Sequence, residues 1–432
     1  ISVVNKNLSI PGEVFYHLTN QEKEKPMTNI WVKNFAKRTE RMQSSTIREL
    51  LKISNLPGVI SFAGGLPSPD VFPVKEFKEA CEYVLDNCAD QALQYGTTEG
   101  FTPLRELICE RSGRYGINIR PENVLITNGS QQALDLIGKV FIDAGDKIAV
   151  ESPTYLGAIQ AWKVYGAEFV TVESDKNGMI PESLEAQMKH KPKLVYLLPN
   201  FHNPMGTTLP VERRKRIIEI CHEHQVPIIE DDPYGQLRYE GEHIPPVVKL
   251  DADLRGNDKD DYQGNVIYLS TFSKTLAPGL RLAWVIAPQE IILKLVQAKQ
   301  GSDLNTSTLV QYLAYEVSKG TFLDEHIKVI RKVYSRRRDL MMELIDELFP
   351  PEVTYFRPEG GLFLWVITPP KLNTQELLPV AVAQKVAYVP GAPFHPNGGG
   401  LNTMRMNFSN ASEEGIREGM DRLSKVLKSA LV

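Results

Sequence analysis

The chain has 432 residues, 42% of them hydrophobic and 24% charged, with a formal net charge of −4. That length exceeds one ordinary hydrophobic core and implies two domains, or one large and one small, of soluble globular composition. The balanced charge gives no electrostatic footprint for nucleic acid or an anionic membrane, so a phosphate-bearing ligand has to be held by a local pocket. Cys81, Cys88, Cys109 and Cys221 fit neither a disulfide framework nor a paired CxxC metal site, which reads as a reducing, cytoplasmic setting. No window approaches the roughly 18 apolar residues of a membrane span, and the first 30 residues lack the apolar run of a signal peptide.

In chain order, residues 1–26 are polar and weakly patterned, and Met27 reads as the native start, with 1–44 an N-terminal arm or partly vector-derived. Beyond it, short apolar runs alternate with helical patterns, the signature of an α/β domain with a mostly parallel sheet flanked by helices. Strands are expected at 124–127, 147–150, 168–172, 194–198, 227–230, 266–269 and 282–287, and helices at 129–143 and 210–225. The charged stretch 251–264, with Asp258-Lys259-Asp260-Asp261, reads as an exposed loop. A helical tract from 309 to 348, broken near Gly320, leads into a smaller α+β domain with strands at 353–357, 361–367, 386–389 and 404–409 and a last helix at 412–427. The expected division is 76–329 for the large domain, and 45–75 with 330–432 for the small one.

Lys274 stands in Ser270-Thr271-Phe272-Ser273-Lys274, on a turn between two strands, with Arg281 seven residues later. A lysine amine becomes nucleophilic near neutral pH when burial or a nearby cation lowers its pKa, and an aldehyde such as pyridoxal phosphate then captures it as an imine. Gly129-Ser130-Gln131 follows a strand and opens a helix, so free N–H groups there form an anion seat that Thr271, Ser273 and Arg281 can close. Glu230-Asp231-Asp232-Pro233-Tyr234 stands at a strand's carboxyl end, where open α/β sheets place ligands. A carboxylate leaving a buried strand needs a cation, and a protonated pyridine nitrogen is one. Asn203, in Asn200-Phe201-His202-Asn203-Pro204, is placed to donate a hydrogen bond to a phenolate, and Tyr155 offers an aromatic face for stacking. Cys221-His222-Glu223-His224 departs from HExxH spacing and lies at a helix C-terminus, so no metal is expected.

These motifs, in this order, resemble the fold-type I pyridoxal phosphate enzymes of the class I and II aminotransferase family, and more narrowly its 2-aminoadipate, kynurenine and aromatic subgroup, from about Ser44 to the C-terminus. The resemblance implies that Lys274 captures the cofactor, that Asp231 pairs with its ring nitrogen, and that Tyr234 and Asn203 hydrogen-bond its phenolic oxygen. Tyr155 then stacks on the ring, while Ser130, Gln131, Ser273, Arg281 and, with family variation, Thr271 hold the phosphate. Tyr95 resembles a tyrosine that reaches the phosphate from a neighbouring subunit, implying a homodimer with shared active sites. Arg405, in Thr403-Met404-Arg405-Met406-Asn407, matches the arginine that clamps the substrate α-carboxylate, a task suited to its planar fork. Gly64 and Gly65 match a glycine-rich segment near the substrate, and Arg48 a mobile arginine that meets the substrate side chain. Cis peptides are implied at Ser152-Pro153 and Asn203-Pro204.

The implied reaction is transamination between an L-amino acid of the 2-aminoadipate, glutamate, aromatic or branched-chain type and a 2-oxo acid such as 2-oxoglutarate, with Lys274 as the base at the substrate Cα. Other pyridoxal phosphate reactions on the same fold, β-elimination by a C–S lyase or decarboxylation, stay open. A ligand-sensing regulator with an aminotransferase-like domain is the reading from another class. The roughly 44 residues before the match carry no recognition-helix pattern and are too few for a winged helix.

Overall fold

The computed structural model describes residues 30–42, 57–256 and 262–431. The stretch 30–41 is a unit by itself, a helical turn (Ile30–Lys33) followed by a 3₁₀ turn (Lys37–Arg41). Met27, Arg48 and the charged run 258–261 lie outside the described residues.

The remaining described residues open with the short strand β1 (Ile60–Ser61). Eight strands then build the main sheet: β2 (Val124–Thr127), β3 (Lys147–Ser152), β4 (Glu168–Asp175), β5 (Gly178–Met179), β6 (Leu194–Leu197), β7 (Ile228–Asp231), β8 (Val266–Thr271) and β9 (Ala283–Ile286). Their order is β2-β9-β8-β7-β6-β3-β4-β5. The run from β8 through β7, β6 and β3 to β4 is parallel, whereas β9 is antiparallel to both β8 and β2, and β5 to β4. Helices cover both faces, which is why the central strands are near-continuous apolar runs. Alternate side chains divide between two cores. Ile148, Val150, Tyr196, Ile229 and Leu269 pack with helices Ser130–Phe141, Leu156–Lys163 and Gln289–Gln300. Ala149, Val195, Ile228, Val266 and Tyr268 pack on the other face with helices Thr102–Gly113, Val211–Glu223 and Val247–Leu254. Each fully buried Ile, Leu or Val stabilises the fold by about 2 kcal/mol, so the strand ends are rigid platforms.

A third core surrounds a second sheet. Its strands are β10 (Thr354–Phe356), β11 (Phe363–Ile367), β13 (Val389–Pro390) and β14 (Thr403–Asn407), antiparallel in the order β10-β11-β14-β13, while β12 (Val386–Ala387) pairs in parallel with β1. The apolar run expected as one strand at 386–389 is therefore divided at buried Tyr388 between two sheets. The helix Phe322–Leu348, about 40 Å long at 1.5 Å per residue, links the cores: Leu323 and Ile327 pack beneath the main sheet, and Ile330 to Ile345 in the third core. The break before it falls at Gly320, whose φ is +75°.

Candidate active site

A cavity of about 330 Å³ opens at the carboxyl ends of the parallel strands. Ser130 and Gln131 reach it from the segment after β2, Tyr155 from that after β3, Asn203 from that after β6, Asp231 from the end of β7 and Tyr234 from the segment after it, Thr271 from the end of β8, and Ser273, Lys274 and Arg281 from the β8 to β9 connection. Phe363 and Arg405 close it from the second sheet, and Gly65 from the segment after β1. Both implied cis peptides, Ser152-Pro153 and Asn203-Pro204, are present beside it.

Lys274 Nζ donates to the Gly65 carbonyl at 3.0 Å. Burial, with Arg405 and Arg281 adding repulsion, brings its ammonium down to about 8. The turn that carries it is held by Thr271, whose Oγ1 accepts the Ser273 N–H at 3.0 Å and lies 2.9 Å from the Leu282 carbonyl. Thr271 thus lines the cavity, but its hydroxyl is engaged in shaping the turn.

Asp231 is the last residue of β7, one position beyond the strand expected from the apolar run, because pairing with Leu269 of β8 continues to it. The two-residue period of a strand sends Asp231 to the cavity face and Glu230 to the other. There Glu230 accepts the N–H groups of Val247 and Val248 at 2.8 Å each. Asp231 Oδ2 accepts the Tyr196 hydroxyl at 2.8 Å, while Oδ1 is buried with no partner among the described residues. Burial raises this carboxyl to about 7, against the Tyr196 bond and with help from Asp232. The motif reading missed Tyr196, whose apolar run in β6 marks it only as core. In the sheet register it pairs with Ile229, and a long side chain reaches two residues along the neighbouring strand.

Arg405 on β14 is 1% exposed. One terminal nitrogen donates to Asn203 Oδ1 and the other to the Ala63 carbonyl, each at 2.8 Å. Its Nε is buried without a partner among the described residues. The guanidinium lies 4.2 Å from the centre of the Phe363 ring and 5.2 Å from that of Phe394, contacts that favour a desolvated cation. Burial lowers it to about 10, which leaves it charged at neutral pH. Asn203 also hydrogen-bonds Tyr234, whose phenol burial pushes far above its ordinary range. The segment carrying Asn203 is tied down by fully buried Arg214, which donates to the carbonyls of Pro199, Leu209 and Pro245 and to Asn200 Oδ1.

At the opposite end, Gly129 has φ +78°, and a Cβ there would strike the Arg281 guanidinium. The arginine thus lies directly on the start of the helix Ser130–Phe141, whose first N–H groups lack intrahelical acceptors. Ser130 Oγ is buried without a partner among the described residues. The Gln131 side-chain amide donates to the Gly157 carbonyl at 3.0 Å, which commits one of its two N–H groups to the protein.

A sequence profile for "Aminotransferase class I and II" matches residues 60–423. The chain belongs to the class I and II aminotransferases. The aromatic-amino-acid aminotransferase 1 of Thermococcus litoralis is 45% identical over 95% of this chain and 98% of its own length. The α-aminoadipate aminotransferase of Thermus thermophilus, solved with N-(5′-phosphopyridoxyl)-L-leucine, superposes with a TM-score of 0.86 at 44% identity, covering 93% of this chain and 99% of that one. The kynurenine aminotransferase of Pyrococcus horikoshii superposes with a TM-score of 0.88 at 42% identity, covering 94% and 100%. The protein is a pyridoxal 5′-phosphate-dependent transaminase of fold type I.

Two of the described residues read from the sequence do not line the aminotransferase's cavity, and a third is not described. Tyr95 is 79% exposed, Gly64 is buried beside Gly65 without lining the space, and Arg48 lies outside the described residues. Of the histidine-rich run, His222 is used by Arg255 and His224 contacts Glu185 at 2.8 Å. No helix among the described residues is long and apolar enough to cross a membrane.

Proposed function

We propose that the aminotransferase binds pyridoxal 5′-phosphate in this cavity and moves an amino group between an L-amino acid and a 2-oxo acid such as 2-oxoglutarate, with Lys274 as the attachment point. The observation that carries this reading is a convergence on one cavity: an amine brought down to about 8, a buried carboxylate oxygen without a partner, and a buried arginine with a free N–H. The unpartnered Asp231 Oδ1 fits a protonated ring nitrogen, and Ser130 Oγ with Arg281 fits a phosphate. When bound, the cofactor supplies the electron sink for the charge left at the substrate Cα.

The chain's own residues do the rest. Asp231, oriented by Tyr196, keeps the ring nitrogen protonated. Lys274, once displaced by the substrate amine, takes the proton from Cα and returns it on the cofactor side. Tyr234 and Asn203 hydrogen-bond the phenolic oxygen, and Tyr155 covers one ring face. The N–H groups of Ser130 and Gln131, with Ser273 and Arg281, hold the phosphate, and Thr271 sets the turn. Arg405 takes the α-carboxylate between the Phe363 and Phe394 rings, near Gly64 and Gly65. A homodimer supplies Tyr95 of the partner subunit to the phosphate, which accounts for the exposure of Tyr95 in the single chain. The separate cores support a large domain of 76–329 and a small one of 45–75 with 330–432, and four unbridged cysteines suit the cytoplasm.

The relatives support 2-aminoadipate and aromatic amino acids as donors. We assign Arg48 to the recognition of an acidic substrate side chain. The test is to incubate the protein with cofactor, 2-oxoglutarate and, in turn, 2-aminoadipate, kynurenine, phenylalanine or leucine. Glutamate and the matching oxo acid form in equal amounts; release of ammonia or carbon dioxide in their place overturns transamination in favour of elimination or decarboxylation.

A further inference from the structure

Behind the anion seat lies a charged cluster with no part in the chemistry above. Lys299, on the last turn of the helix Gln289–Gln300, is fully buried, and its ammonium lies 2.8 and 2.7 Å from the two carboxylate oxygens of Asp303. Asp303 Oδ2 also accepts the side-chain amides of Asn128 at 2.6 Å and Gln132 at 2.7 Å. Gln132 Oε1 in turn accepts the Asn128 backbone N–H at 2.8 Å and lies 3.2 Å from Lys299 Nζ. About two turns further along the helix Ser130–Phe141, Lys139 Nζ reaches Ser302 Oγ at 2.8 Å.

Asn128 and Gln132 are the two ends of the turn whose middle residues are Gly129, Ser130 and Gln131. A single carboxylate therefore grips the turn at both ends, and neither it nor Asn128 nor Gln132 is among the residues that line the cavity. The grip acts on a backbone that needs fixing, since Gly129 sits at φ +78° against Arg281, where its own lack of a side chain leaves it free to relax. A carboxylate behind an anion seat is by itself unfavourable, and a charge held out of water is tolerated when paired and hydrogen-bonded. Lys299 meets both needs by neutralising Asp303 and holding its two oxygens in place.

We propose that Asp303, held by Lys299, is a positioning residue that keeps the 128–132 turn in the shape that receives a phosphate dianion. The proposal rests on the reading above, in which that turn and Arg281 form the phosphate seat. It requires that Asp303 act on the phosphate and not on the ring of the cofactor.

The test compares binding of pyridoxal 5′-phosphate and of pyridoxal, which lacks the phosphate, to the cofactor-stripped protein. Asp303→Asn weakens binding of the phosphorylated compound about tenfold and of pyridoxal less than about twofold, the size typical of losing a partner that orients a ligating group. Equal losses for both compounds, or no loss for either, overturn the proposal. If Asp303→Asn does not fold, Asn128→Ala, which leaves the ion pair intact, is expected to lower the same preference about fivefold, and an unchanged preference overturns the proposal. Arg281→Gln separates the two readings. If it leaves the preference for the phosphorylated compound intact, the seat itself is wrongly assigned; if it abolishes the preference while Asp303→Asn does not, only the positioning role fails.

Discussion

Asp231→Asn is expected to stabilise the cofactor-free protein while disabling the enzyme. The carboxyl is 2% exposed, and burial raises it from 3.8 to about 7. Between those values the folded chain keeps a proton that the unfolded chain has released, so stability falls as pH rises from about 4 to about 7 and is level above. The full displacement corresponds to about 4 kcal/mol, at 1.36 kcal/mol per tenfold change in proton affinity. Asparagine removes the charge, keeps an acceptor for Tyr196 and turns its amide toward the open cavity. Urea melts of the stripped protein at a series of pH values should show wild type and variant equally stable near pH 4, with the variant ahead by a margin that grows to pH 7 and approaches that ceiling. In the loaded enzyme the order reverses, because the negative charge opposite the ring nitrogen is gone, and kcat/KM falls about 10³-fold, the scale of a lost preorganised charge. A variant advantage that does not change with pH would refute the assignment of the cost to the buried charge. Full activity would refute the pairing with the ring nitrogen.

Because the neutral amine is the nucleophile, cofactor capture by Lys274 in the stripped protein should accelerate with rising pH around a midpoint near 8; a stopped-flow midpoint near the ordinary lysine value of 10.5 would refute the effect of burial and of the two arginines. Arg405→Lys keeps the charge but loses the planar fork, so KM for the amino donor should rise about 10- to 100-fold with a smaller change in kcat. Steady-state kinetics that show only a kcat loss would place Arg405 outside carboxylate binding. Gly129→Ala forces a side chain into a positive φ and into Arg281, and calorimetry should find cofactor affinity lowered at least about tenfold. With Arg48→Ala, 2-aminoadipate should lose rate while phenylalanine keeps it, and equal rates for both would remove Arg48 from side-chain selection.

Much of the site was legible because its residues sit at strand ends, and strand ends are marked locally. The runs 124–126, 194–198 and 266–269 are apolar because both faces of the sheet are covered, and they give way to Thr127-Asn128, Pro199-Asn200 and Ser270-Thr271. Lys274 with its hydroxyl neighbours, the Glu230-Asp231 pair after two isoleucines, and Ser130 after Gly129 are readable for that reason. Boundaries were less so. Asp231 belongs to β7 through its pairing with β8, and 386–389 divides between two sheets, since pairing depends on partners distant in sequence.

The sequence by itself determined which elements form and which groups stand at their ends, because burial patterns and turn chemistry act over a few residues. Tertiary structure alone decided what those groups touch. Tyr196 is bound to Asp231, the Phe363 and Phe394 rings flank Arg405, and Asp303 holds Asn128 across 175 positions of chain. Tyr196, Phe363, Phe394 and Asp303 carry a local signal of ordinary core or surface. Their roles follow from sheet register and from helices that return over the same strand ends, and so from contacts that no short window of sequence contains.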